Sequence, residues 1–195
     1  MTDKNAAEIS LLNRTDLPEH LRILADEFPR DRWPELSEMG QLTQFWLERH
    51  LMFRKILGML DEDAKGFLDK AMDPAQYAPR LHRLASMFVG QLHEHHNIED
   101  HHYFPMLTRL DTRMEAAFDL LETDHTELDA NLKLFTDQTN AALTGFQHGN
   151  TDLTATGTLH ETMQHFQGFL NRHLLDEEDI IVPVLLKHGE EKLYG

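Results

Sequence analysis

The sequence predicts an all-α protein, an up-down-up-down four-helix bundle with a short N-terminal helical arm, on three observations. Apolar residues step by three and four along four long stretches, no stretch alternates with the period of a strand, and connections of roughly 2 to 18 residues separate them. A chain of 195 residues is expected to build one domain around one core.

Residues 1–36 read as an arm. Asp16 and Pro18 start a helix, LPEHLRILADEF supplies about three turns, and Pro29 and Pro34 force a loop. Its role is left open by the sequence, a lid and a contact in a homodimer being the two readings. The bundle is expected over 37–189, with 190–195 a tail. Its first helix runs from near Ser37 to about Leu60 on the stripe Leu42, Trp46, His50, Phe53, Leu57, Leu60, followed by a break and a short helical turn. The second starts between Asp73-Pro74 and Pro79 and carries Leu81, Leu84, Phe88, Leu92, His95, Glu99, His102 and Met106. The third, from about Thr112 to Leu143, has Met114, Phe118, Leu121, His125, Leu128, Leu132 and Phe135, with Gly145 and Gly149 in the next loop. The fourth, from about Asp152 to Lys187, has Leu159, Met163, Phe166, Leu170, His173, Glu177, Ile180 and Val184, and Gly189 ends it.

Composition removes several function classes. Lys and Arg total 18 against 34 Asp and Glu, a net charge of −16, which repels nucleic acid and anionic membrane surfaces. Neither is expected as a partner. With 0 cysteines there is no disulfide, thiolate nucleophile or cysteine-held metal, so any metal sits on nitrogen and oxygen. No apolar stretch approaches the ~20 residues of a membrane span, and MTDKNAAEIS is no hydrophobic signal, so a soluble, cytoplasmic protein is expected. The 14 histidines demand a reason, because histidine is the commonest metal ligand and a poor core filler.

Their placement supplies one. Laying FVGQLHEHHNIEDHHYFPML over FQGFLNRHLLDEEDIIVPVL pairs Phe88 with Phe166, Gly90 with Gly168, His95 with His173, Glu99 with Glu177, and Pro105 with Pro183. Helices two and four therefore share a pattern built on H-x-x-x-E, whose two polar residues lie only about 40° apart around a helix. Helices one and three add one histidine each in mid-stripe, His50 and His125. A duplicated hairpin thus predicts a pseudo-two-fold site of four His and two Glu. Counting residues from each turn puts His95, His125 and His173 at similar heights in antiparallel helices, at 1.5 Å of rise per residue.

Two buried glutamates need compensation, each costing several kcal/mol if ionised and unpaired, and no stripe carries a Lys or Arg to supply it. Divalent cations supply it. Six ligands including two carboxylates suit a dinuclear pair better than a single four-coordinate zinc; iron is favoured, with manganese the other metal that suits these donors. Glu99 and Glu177 are the expected bridges across ions roughly 3.5 to 4 Å apart. Glu178 stands about 140° from His173, and Asp100 is its counterpart beside Glu99; both are expected to orient polar partners or face solvent.

His50, His95-x-x-x-Glu99, His125 within DHTEL, and His173-x-x-x-Glu177, with Pro105 and Pro183 following, resemble the hemerythrin-like, HHE cation-binding family over about residues 37–187. The resemblance implies a non-haem di-iron centre, with a bridging oxo or hydroxo group, held in a four-helix bundle by those six residues. Oxygen-carrying hemerythrins place two His four residues apart on the third helix, where this chain has Leu121 and Asp129 flanking His125. A set of four His and two Glu is more similar to the di-iron domain of the repair-of-iron-centres proteins, whose cysteine-bearing N-terminal segment this chain lacks. Glu99-x-x-His102 and Glu122-x-x-His125 also fit the spacing of ferritin-like carboxylate bundles, but helices one and four offer histidines where that arrangement needs glutamates.

The other histidines read as bland. His93, His96, His101, His160, His20, His82, His148 and His188 are assigned to solvent, while His165, Asp129 and His102 are expected to orient the ligands or sit at the bundle end. The leading functional expectation is a protein that binds or senses oxygen or nitric oxide at two iron ions. A di-iron redox enzyme acting on peroxide, nitric oxide or oxygen, and an iron-responsive interaction module, are the alternatives.

Overall fold

Steps of three and four place Trp46, His50, Phe53, Leu57, Leu60, Ala64 and Phe67 on one stripe, and every one of them is buried. The helix they form, α1, runs Gln41–Leu68 in a computed structural model that describes residues 10–35, 39–148 and 153–193. Its first turn is capped from a distant part of the chain: the Glu190 carboxylate accepts from Leu42 N (3.0 Å), Thr43 N (2.7 Å) and Thr43 Oγ1 (2.6 Å). A negative group there meets orphan N–H donors and the positive end of the helix dipole. The break expected after Leu60 does not occur, because Ala64 and Phe67 continue the stripe. α1 instead ends where Lys70 takes a left-handed φ of 59°. Lys70 N donates to the Phe67 carbonyl at 3.0 Å and Ala71 N to that of Gly66 at 2.8 Å, a Schellman ending.

The second helix, α2, is Pro74–Ile98. Asp73 starts it, accepting from Ala75 N at 2.7 Å, with proline at the first helical position. It continues through a π turn, Glu99–Tyr103, into α3, Phe104–Leu110. That wide turn admits one extra residue, so the inward stripe moves on by one position. Phe104 and Leu107 are buried, whereas His102 is exposed and Met106 only half-buried, which corrects the expectation that His102 and Met106 extend the stripe.

After a 3₁₀ turn at Thr112–Met114, α4 runs Glu115–Gln147, and α5 spans Leu153–His188. All the expected stripe residues of both helices are buried. Gly189, at φ 82°, ends α5, its N–H bonding the Leu185 carbonyl at 2.9 Å. Ser37, Gly149 and Asp152, where two helix starts and a loop are expected, lie outside the described residues. The four long helical stretches pack against one another as a four-helix bundle, and no strand occurs among the described residues. None of their helices is long and apolar enough to cross a membrane.

Among the described residues of the arm, helix occurs as two 3₁₀ pieces, Glu19–Leu21 and Arg30–Glu35, rather than as three turns of one helix. Leu17, Leu21 and Leu24 keep helical spacing and are all buried, but packing rather than propensity sets the backbone of so short a segment. By contacts the chain divides into one compact unit of Met1–His50, His96–Glu127 and Asn171–Gly195 and another of Leu51–His95 and Leu128–Leu170. The first has a core of Leu17, Leu21, Leu24, Trp46, Phe104, Phe118, Ile180 and neighbours. The second is organised by Phe53, Phe88, Phe135 and Phe166, whose ring centroids lie 5.7 to 6.3 Å apart.

Candidate metal centre

The polar residues that interrupt the apolar stripes lie inward because their neighbours three and four positions away are core residues. α1 thereby buries His50; α2 buries His95 and His96 in its last turn; the π turn opens on buried Glu99; α4 buries Asp124 and His125; α5 buries His173, Asp176, Glu177 and Glu178.

Two sets of donors result. His50, His95, Glu99 and Glu177 each offer an atom within 4.8 Å of the others, and His96, His125 and His173 do the same. Glu177 reaches both sets, with Oε1 3.3 Å from His50 Nε2 and Oε2 3.4 Å from His173 Nε2. Glu99 Oε2 lies 3.7 Å from His125 Nε2, which is itself 3.2 Å from His173 Nε2. Trp46 Nε1 donates to Glu177 Oε1, and Phe53 and Phe104 pack on the rings of His95 and His125 at 5.1 and 5.5 Å.

His96 corrects the sequence reading, which sends it to solvent. It is 4% exposed, and its ring stacks on that of His125 at 4.1 Å. Although about 100° from His95, it stands three residues before Glu99, the other helical spacing that shares a face. That spacing was the available signal. His165 and Asp129, expected to orient ligands, are exposed, and His165 rests against Phe169 instead. Both stand too far around their helices to reach the interior. His20, His82, His93, His101 and His148 are exposed as expected, while His160 and His188 are half-buried beside Asp61 (2.9 Å) and Asp111 (3.1 Å).

Behind the donors stands a layer of carboxylates. Asp100 Oδ1 is 2.6 Å from His125 Nδ1, Glu178 Oε1 is 2.9 Å from His50 Nδ1, and Asp124 Oδ2 is 3.4 Å from His173 Nδ1. Asp100 and Glu178 thus orient polar partners, and Glu178 is buried rather than solvated. Three rings accordingly turn Nε2 inward and Nδ1 toward an acid, the arrangement that fixes ring orientation and tautomer in metal sites. Asp124 was missed, though its place beside His125 was visible. Arg14 was missed as well. It is 6% exposed and reaches Asp124 and Asp176, so the buried cation comes from the arm and not from a helix stripe.

Electrostatics follow from burial. Burial first, then the charge of Glu177, holds the Glu99 carboxyl well above the ordinary carboxylate range. Burial opposes charge on His173, but its contacts with Asp124 and Glu177 prevail and push it up to about 9. His50 is raised in the same way by Glu177 and Glu178 against the pull of burial. A group that gathers protons onto adjacent imidazoles and carboxylates offers a divalent cation both the charge and the nitrogen and oxygen donors it requires. The residues fit a metal.

Comparison with known proteins agrees. The family model of the hemerythrin HHE cation binding domain matches residues 41–185. No curated protein and no solved structure gives a significant match. The chain belongs to the hemerythrin HHE cation-binding family, and its buried His and Glu cluster makes it a metal-binding, hemerythrin-like protein.

Proposed function

We propose that this chain holds two non-haem iron ions on His50, His95, Glu99, His125, His173 and Glu177, with His96 as an additional donor, and that it binds or senses a small ligand such as oxygen or nitric oxide. The observation that carries this reading is the position of Glu177, which turns one carboxylate oxygen toward each donor set. A carboxylate so divided suits a pair of ions better than a single one. Iron in such a centre supplies coordination of a diatomic ligand and the electrons to stabilise it.

The chain's own residues do the rest. Glu99 and Glu177 balance the charge of the cations, Trp46 holds Glu177 by an N–H donor, and Asp100, Asp124 and Glu178 keep three imidazoles aimed inward. Phe53 and Phe104 cover two of the rings with apolar surface, which restricts access to small molecules. Metal entry must displace the protons these groups hold, so uptake strengthens as pH rises.

Anaerobic reconstitution with ferrous iron tests the proposal. About two irons per chain, and an absorption change on adding oxygen or nitric oxide that reverses when the ligand is removed, are expected. One zinc per chain or no bound iron would refute it, and continuous consumption of peroxide, nitric oxide or oxygen in excess would identify a redox enzyme instead.

A further inference from the structure

The family match begins at residue 41, yet two arginines that precede it reach the carboxylates behind the donor histidines. Arg14 donates through Nη1 to Asp124 Oδ1 at 3.1 Å, through Nη2 to Asp124 Oδ2, and through Nε to Asp176 Oδ2 at 2.8 Å. Asp124 Oδ2 is the oxygen that faces His173 Nδ1. Arg30 donates through Nη1 to Glu178 Oε2, while Oε1 of the same carboxylate faces His50 Nδ1 at 2.9 Å. Arg30 is itself held on several sides, by Asp179 Oδ1 at 2.8 and 3.1 Å, by the Leu175 carbonyl at 3.0 Å, and by the face of Trp33, 4.6 Å below the guanidinium.

We propose that Arg14 and Arg30 are positioning residues of the metal centre, so that the N-terminal arm works as its outer wall: Arg14 acts through Asp124 on His173, and Arg30 acts through Glu178 on His50. The inference rests on the metal reading above. Its physical basis is that a carboxylate orients an imidazole only if it is itself held, and a bidentate or shared guanidinium holds it with fixed geometry. Both arginines approach different histidines of different donor sets, so the arm governs the two sides of the centre at once. One contact of the arm among the described residues stands apart from this network. Lys187 Nζ meets Glu27 Oε2 at 2.6 Å in an exposed pair that touches no donor histidine or its carboxylate, and it serves as the control.

The test uses the full-length chain loaded with Co(II), whose visible spectrum reports ligand geometry, and compares Arg14→Met, Arg30→Met, Arg30→Lys and Lys187→Met. Far-UV circular dichroism checks that each variant keeps its helix content. Arg30→Met is expected to weaken Co(II) binding about 10- to 100-fold and to shift the ligand-field bands. Arg30→Lys should recover part of both, and Lys187→Met should change neither. Arg14→Met should act likewise through His173; if it fails to fold, Arg30→Met decides, since Arg30 is 38% exposed and its loss leaves less buried charge. Unchanged affinity and bands in Arg30→Met overturn the proposal, as does an equal loss in Lys187→Met, which would reduce the arm to a general tether. Failure of the unaltered chain to bind Co(II) or iron is a distinct result, and removes the metal reading together with this inference.

Discussion

Asp124, Asp176 and Glu178 take arginines from the arm, whereas Glu99 and Glu177 face imidazoles, Trp46 and one another. Under the proposed metal reading, that division separates residues that orient from residues that would hold a cation. Glu99→Ala or Glu177→Ala is therefore expected to abolish dinuclear loading, while Glu178→Ala retains two ions at affinity reduced about 10- to 100-fold, as metal analysis after reconstitution would show. The reverse order would overturn the register. His96→Ala should empty the side formed by His96, His125 and His173, leaving about one ion per chain by the same assay. The H-x-x-x-E pairs were legible in the sequence because positions four apart share a helix face. His96 and Asp124 left weaker signals, the spacing to Glu99 and the place beside His125, which a single narrow stripe passes over because it excludes residues about 100° away that a buried polar centre still reaches. Arg14 had no local signal, because its role arises from contact between segments more than a hundred residues apart.

At the level of elements, helical periodicity located all four long stretches, and glycine correctly marked the end of α5. Two features escaped it. Nothing in the spacing announces the π turn at Glu99–Tyr103, which shifts the following stripe by one residue. The close of α1 at Lys70 was also hidden, because a left-handed ending normally announces itself with glycine. A side chain in that conformation costs about 1 kcal/mol. Lys70→Gly should consequently raise the melting temperature by about 2 to 4 °C in a thermal scan, and a fall would show that the flexibility gained by the unfolded chain outweighs the strain relieved.

For the whole molecule, stability depends on pH and metal in ways that can be separated. Asp111, bonded to Arg113 at 2.8 Å and His188 at 3.1 Å, has its carboxyl held far below the usual range, first by Arg113 and then, against burial, by His188. The folded value lies below the unfolded one, so this stabilisation is complete above about pH 4 and fades as pH falls toward the folded value. The stability difference between the unaltered chain and Asp111→Asn in chemical denaturation should accordingly be larger at pH 7 than at pH 3. Metal loading should raise the melting temperature at pH 7, and the metal should leave by pH 4 as its ligands protonate; equal metal content at the two pH values would contradict the assigned donors. X-ray absorption fine structure at the iron edge tests the dinuclear reading most directly. A nitrogen and oxygen shell with an iron–iron vector of about 3.5 to 4 Å, lost in Glu177→Ala, is predicted. Two irons per chain with no such vector, or a vector that survives Glu177→Ala, would contradict it.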